Sequence, residues 1–328
     1  MTPAPPSDPA TPLAASSPDG VAGSRAAVGS DPATGYALRD RLRDYKILVK
    51  PRITRMVVIT TAIGFALAVR GGSGWTWLML VGTLAGTALS CMAASVFNQA
   101  YEWRTDAKMP RTADRPLAAG RLPMGEALAL GGAFMLAGQA ALCMFGTPLA
   151  SGVAAFTILS YALIYTPFKR VSPISLYVGA VPGALPPVIG YAAVTGDLFT
   201  PHAAAVWVIF AVMALWQVPH FLAIGFMYRD DYAAAGLAMH AVRDPSGRSS
   251  MRNAVLGCLL LLPAGAAATL LGFAGWVSLA VTLACGLGFL ALAVAWTLKR
   301  DRDSARRLFF ASLIYLPVVL AVIMVDAQ

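Results

Sequence analysis

Residues 76–106 read TWLMLVGTLAGTALSCMAASVFNQAYEWRTD. From 76 to 97 there is no charged side chain, and an apolar run of this length carries a helix across about 30 Å of hydrocarbon. The run then ends on Asn98, Glu102, Arg104 and Asp106. A membrane-crossing helix whose last turns are polar is therefore the first expectation, and the rest of the chain repeats the pattern.

Of 328 residues, 58% are hydrophobic and only 12% charged, about half the charge a water-soluble domain carries. The spacing of apolar runs predicts nine spans, near 53–70, 76–98, 125–145, 148–166, 174–194, 203–227, 253–272, 275–298 and 308–325. Lipid offers no water to open backbone groups, so the expected fold is all-α, a polytopic membrane helical bundle. With the N-terminus placed in the cytoplasm, every Lys and Arg except Arg70 falls on the cytoplasmic side, and the C-terminus is periplasmic. The net charge of +9 then reads as orientation and contact with the lipid bilayer, not as nucleic-acid binding. Cys91, Cys143, Cys258 and Cys285 each lie inside an apolar run without a CxxC pair, which fits small buried residues and not disulfides or zinc ligands.

Residues 1–35 are rich in Pro, Ala, Ser, Gly and Asp, with no apolar signal core and with Arg25 alone among arginines. A disordered tail and a bacterial cell inner membrane protein are expected. In residues 36–52, Leu38, Leu42, Tyr45 and Val49 recur at helical spacing between Arg39, Arg41, Arg43 and Lys46, the pattern of an interfacial amphipathic helix. The nine-span domain then occupies 53–328.

The polar chemistry gathers on the cytoplasmic side. Asn98, Glu102 and Asp106 are spaced i, i+4, i+8 and drift by only about 80° around a helix, so they line one face. Two carboxylates and an amide at the mouth of a span suit Mg²⁺ bridging a diphosphate; a helix simply leaving the membrane is the alternative. Arg111 and Arg115 follow in a basic loop and can hold phosphate oxygens, or serve only as positive loop charge. After the fourth span come Tyr165, Lys169 and Arg170, fit to line a pocket and reach a phosphate or to form an interfacial belt. The sixth span carries Trp216, Gln217, Pro219, His220 and Phe221, then Asp230, Asp231 and Tyr232. His220 is the one histidine inside a span and leaves a haem ligand, a proton acceptor or a hydrogen-bonded structural residue open. Asp230 and Asp231 form a second acidic cluster, for a second metal or for solvation. Gly179, Pro182, Gly183, Pro186 and Pro187 make the fifth span irregular, either to shape a cavity or to allow close helix packing.

Taken in order, these features resemble the UbiA-type intramembrane prenyltransferases: nine spans, acidic motifs after spans two and six, and Tyr165-x3-Lys169 after span four. Within that superfamily the chain is similar to the haem-farnesylating subgroup. The similarity rests on Lys50-Pro51-Arg52, Met109-x-Arg111-Thr112-x2-Arg115-Pro116-Leu117, Gly179-x2-Pro182-Gly183-Ala184-Leu185-Pro186-Pro187, Trp216-Gln217-x-Pro219-His220-Phe221 and Asp231-Tyr232-x2-Ala235-Gly236-x2-Met239. Glu102 stands where many members carry Asp, and Ala238 where a Pro is expected before Met239.

The resemblance implies farnesyl diphosphate as donor, haem B as acceptor and substrate, Mg²⁺ as cofactor, and haem A synthase as a further partner. It implies metal ligation by Asn98, Glu102 and Asp106 with Asp230 or Asp231. Diphosphate contacts fall to Arg111, Arg115, Lys169 and Arg170, with Tyr165, Trp216, Phe221 and Tyr232 about the substrates and His220 at the haem. Relatives acting on a quinone precursor or chlorophyllide are the near alternative. A transporter or assembly scaffold is the remote one, against which stand the lack of an internal repeat and the gathering of acids at one face.

Overall fold

The computed structural model describes residues 38–327, all of whose extended elements are helices. The tail expected over 1–35 lies outside them. Nine helical segments among the described residues are long and apolar enough to cross a membrane.

α1 (Leu38–Val49) is followed at once by α2 (Pro51–Arg70). Lys50 between them is in the left-handed region, φ 48°, and Pro51 opens α2 as its first residue. The chain therefore turns sharply, and Lys50 points back under the rim. α3 (Trp77–Asp106) starts at Thr76, whose hydroxyl accepts from the Met79 amide at 3.1 Å. It runs unbroken through the polar residues to Asp106. α4 (Met124–Phe145) and α5 (Pro148–Leu159) come next; α5 continues through a π-helical turn, Ser160–Tyr165, into the single turn α6 (Thr166–Phe168).

The fifth span breaks at Leu185 into α7 (Ser175–Ala184) and α8 (Pro186–Thr195). Both expectations for its Gly/Pro run apply to different residues. Pro182, Gly183 and Pro186 line a cavity. Gly190 and Gly64 let α8 touch α2 backbone to backbone: a Cβ on Gly190 would sit 2.0 Å from the Thr61 carbonyl oxygen, and one on Gly64 1.8 Å from that of Pro187.

α9 (Ala204–Met227) leads into two short helices, α10 (Arg229–Ala234) and α11 (His240–Arg243). The last three spans are α12 (Arg248–Leu270), α13 (Trp276–Lys299) and α14 (Arg302–Val325). α12 and α14 begin five or six residues before the expected spans because a helix satisfies its own backbone in water as in lipid; hydropathy marks the membrane edge, not the helix start. Asp301 caps α14, accepting from the Ser304 amide at 2.7 Å.

α2 packs on α8 and α3 on α4, while α9, α12, α13 and α14 form a second group around a common apolar core. The first and last spans, α2 and α14, have no extended contact; Arg70 reaches the Met324 carbonyl at 2.5 Å. α1 departs from the expected leaflet-facing pattern on its inner side. Asp44 and Leu48 are buried, Arg121 donates to both Asp44 oxygens at 2.8 and 3.0 Å, and Arg41 pairs with Glu126 at 2.8 Å. Leu38 and Leu42 stay exposed. Arg41 is thus spent on the protein, since a fixed carboxylate outcompetes a mobile headgroup.

Candidate active site

Because α3 stays helical to Asp106, Asn98, Glu102 and Asp106 fall on one face, and all three are buried at 2%, 7% and 1% exposure. Buried carboxylates need counter-charge, and each meets a cation. Lys169 Nζ donates to Glu102 Oε1 at 2.7 Å, and Arg115 Nη1 to Asp106 Oδ2 at 2.7 Å. Lys50 Nζ donates to Asn98 Oδ1 at 3.1 Å. Asn98 Nδ2 closes the row by donating to Glu102 Oε2 at 2.8 Å and to Thr166 Oγ1 at 3.3 Å.

The neighbouring turns are shaped to hold this row. The π turn delivers Thr166 to Asn98 and places the Tyr165 ring 4.6 Å below the Lys169 ammonium. Arg170 lies over Tyr101 at 5.2 Å and donates to Thr105 Oγ1 at 2.5 Å. The Ala238 amide donates to the Lys169 carbonyl at 2.8 Å, a bond the expected proline could not make. Thr112 Oγ1 donates to the Asp106 carbonyl at 2.9 Å, fixing the loop that carries Arg115.

Arg111 joins the loop after α3 to the motif after α9. Its guanidinium lies 4.9 Å from the Tyr228 ring centre and 5.7 Å from that of Tyr232, and donates to the Tyr232 hydroxyl at 3.2 Å. Met109, Ala235 and Leu237 pack beneath. The loops after α3 and α9 thereby form one cap.

Below the row, between α2, α3, α5, α7 and α8, lies a cavity of about 140 Å³ that opens outward. Lys50 is at its rim, Ile53, Ala94, Ile158 and Tyr161 are on its walls, and Thr87, Ala154 and Ile189 also line it. Asn98 is eleven residues from Thr87 along α3, a helical run of about 16 Å. The arrangement is a charged mouth over an apolar shaft, suited to an amphiphile with a diphosphate head and a hydrocarbon tail. Lys50, at the mouth, has its pKa lowered to about 8, first by burial and then by the nearby Arg115 and Lys169 cations.

A profile of the UbiA prenyltransferase family matches residues 57–314. The chain belongs to the UbiA prenyltransferase family. It is 41% identical over 292 residues to a protein named protoheme IX farnesyltransferase from Solibacter usitatus, covering 87% of this chain and 99% of that one. Its fold is similar to a solved structure of digeranylgeranylglyceryl phosphate synthase, with TM-score 0.74, 16% identity and coverage of 88% and 98%. It is also similar to a UbiA homologue from Archaeoglobus fulgidus solved with DMAPP and Mg²⁺, with TM-score 0.60, 15% identity and coverage of 85% and 99%.

In this UbiA family member the structure brings Asn98, Glu102, Asp106, Arg115, Tyr165 and Lys169 together directly, with Arg170 beside them. Arg111 and Tyr232 form the adjoining cap. Asp230 and Asp231 do not join the row: among the described residues no three His, Cys, Asp or Glu side chains cluster as a metal cage. Asp230 has its side chain in solvent, 3.6 Å from Arg229, and Asp231 is half-buried. The five-residue metal set expected from the sequence is therefore split, because Arg111 stacked on two tyrosines occupies the seam between the motifs. The α3 donors are all oxygens, two carboxylates and an amide, too few for an all-protein cage but suited to a hard divalent ion that takes its remaining ligands from phosphate.

Trp216, His220 and Phe221 form a separate aromatic cluster on α9, with Phe309 and Ser312 of α14. Sequence reading missed Lys50, Thr166 and Ser312 as site residues. Lys50 alone carried a signal, being a cation set before a proline at the entrance of a span.

Proposed function

We propose that this chain transfers the farnesyl group of farnesyl diphosphate to a vinyl group of haem B, giving haem O and diphosphate. The observation that carries the reading is the buried row Asn98, Glu102 and Asp106, flanked by Lys50, Lys169 and Arg115, set over an apolar cavity of about 140 Å³. The choice of acceptor rests on the 41% identity to the Solibacter usitatus protein along nearly its full length.

Asn98, Glu102 and Asp106 would hold Mg²⁺ on the diphosphate, and Asp231 or Asp230 of the second motif, apart from that row in the free protein, would join them once ion and diphosphate are bound. The ion, when bound, neutralises charge on the leaving group. Lys50, Arg115 and Lys169 already stand at the mouth, and Arg111 and Arg170 flank it; they hold the diphosphate as its carbon–oxygen bond breaks and the electron pair departs with the phosphate. The apolar shaft keeps water from the allylic cation left on the farnesyl chain, and the Tyr165 ring offers it a π face. The vinyl π pair of haem B forms the new carbon–carbon bond. Water then adds to the cation produced on the porphyrin side chain and loses a proton, leaving a hydroxyl. Trp216, Phe221 and Tyr232 flank the acceptor, with His220 as its contact.

On this reading the protein sits in a bacterial inner membrane with its N-terminus cytoplasmic and its C-terminus periplasmic. α1 rests on the inner leaflet through Leu38 and Leu42, and haem A synthase is the partner that would consume the product. The test is product identification. Purified protein receives labelled farnesyl diphosphate with haem B, 4-hydroxybenzoate or chlorophyllide in separate reactions. Label is expected only on haem, in a product heavier by one farnesyl group and one hydroxyl, and only without EDTA. Label on another acceptor, or transfer that survives chelation, contradicts the reading.

A further inference from the structure

We propose that Nε2 of His220 is the ligand to the iron of the porphyrin substrate, and that Ser312 is the positioning residue that keeps this nitrogen unprotonated. The inference deepens the haem acceptor reading and rests on it.

The protonation state follows from one hydroxyl. Ser312 Oγ lies 2.5 Å from the Phe309 carbonyl oxygen and 2.6 Å from His220 Nδ1. A hydroxyl has one proton to give, and a carbonyl only accepts. The serine therefore donates to Phe309, and its oxygen accepts from Nδ1–H of His220. A neutral imidazole has one N–H, so Nε2 carries a bare lone pair. Nε2 has no hydrogen-bond partner and is not sealed from solvent-sized access. A merely structural histidine would be expected to turn this lone pair toward a donor.

The ring cannot do so. Trp216 stacks on it at 4.8 Å and 23°, Phe309 covers it at 5.1 Å and 32°, and Phe221 meets it edge-on at 5.2 Å. The Trp216 indole is fixed in turn, its Nε1 donating to the Ser312 carbonyl at 2.8 Å. One residue of α14 thus anchors both His220 and Trp216 of α9, and the imidazole is left a single free direction, in its own plane along Nε2. An oriented imidazole with its second nitrogen committed to a relay ending on a backbone carbonyl is the arrangement metal-bound histidines use. The depth also suits the reaction: His220 is seven residues from the end of α9 and Asn98 eight from the end of α3, about 10 and 12 Å along their helices.

The test uses the full chain in lipid nanodiscs with ferric haem B and no farnesyl diphosphate. Protein grown with ¹⁵N-histidine should show histidine hyperfine coupling to the haem iron. His220→Ala should lose it, and added imidazole should restore a nitrogen-ligated spectrum. Ser312→Ala should weaken haem affinity by about 10–100-fold, the usual effect of removing a partner behind a metal ligand. Ser312→Thr, which keeps the hydroxyl, should recover most of that loss. An unchanged hyperfine spectrum in His220→Ala overturns the proposal, as does wild-type haem without nitrogen coupling. If haem is still farnesylated in those cases, only the iron ligand is lost; if wild type makes no farnesylated haem, the acceptor reading falls as well.

Discussion

Replacing Lys169 by Met separates what the Lys169–Glu102 pair does for the fold from what it does for transfer. The two side chains meet at 2.7 Å and are only 14% and 10% exposed. Removing the cation strands a buried carboxylate, which typically costs about 3–5 kcal/mol. Glu102 keeps its 2.8 Å bond from Asn98, so the lower end, about 3 kcal/mol, is expected. Adding Glu102→Gln removes the stranded charge and should return most of that stability, since a missing ion pair costs far less than a broken one. Transfer should respond differently. Lys169→Met alone should lower turnover by about 10²–10³-fold, the usual effect of losing one group that stabilises developing charge, and the double variant should stay at least as inactive. The assays are denaturant unfolding in mixed micelles and steady-state farnesyl transfer. Recovery of wild-type turnover in the stable double variant would show the pair to be a structural latch and refute the catalytic assignment of both residues.

Asp106→Asn should abolish transfer while the protein remains inserted and monodisperse by size-exclusion chromatography; normal turnover would remove the metal role of the α3 face. Gly190→Ala should lower thermal stability by about 1–3 kcal/mol or prevent accumulation, because its Cβ would meet the Thr61 carbonyl oxygen at 2.0 Å and backbone cannot step aside. Diphosphate affinity should be full below pH 8 and fall by up to tenfold per unit above it. Lys50 loses its proton there in the free protein, where its pKa is about 8, while a bound anion holds the proton on. Titration calorimetry with pyrophosphate should show that slope in wild type and lose it in Lys50→Arg. Ala238→Pro should raise the KM for farnesyl diphosphate a few-fold with kcat little changed, since it deletes the 2.8 Å bond that steadies the Lys169 carbonyl, worth about 1 kcal/mol.

What the sequence revealed follows the range of the forces involved. The spans were legible because about twenty apolar residues in a row have few other uses, and the face of Asn98, Glu102 and Asp106 because helical spacing is a local property. The cations opposite them were legible as a group but not as pairs: which lysine meets Glu102 depends on how α5 and α6 pack against α3. Lys50 looked like loop charge until its left-handed backbone aimed it at Asn98. The inner face of α1 was hidden for the same reason, since Asp44 and Arg121 are 77 residues apart. Ser312, one serine in an apolar run, has no local mark that distinguishes it from a small packing residue. Its role exists only where α14 meets α9.

The most direct test of the central claim is a structure of the protein with Mn²⁺ and the unreactive thiolo analogue of farnesyl diphosphate, read by anomalous scattering at the manganese edge. Metal density is expected against Asn98, Glu102 and Asp106, with the diphosphate between it and Lys169 and the farnesyl chain in the cavity below. Metal away from the α3 face, or a diphosphate bound with the Lys50, Lys169 and Arg115 contacts of the free protein unchanged, would contradict it.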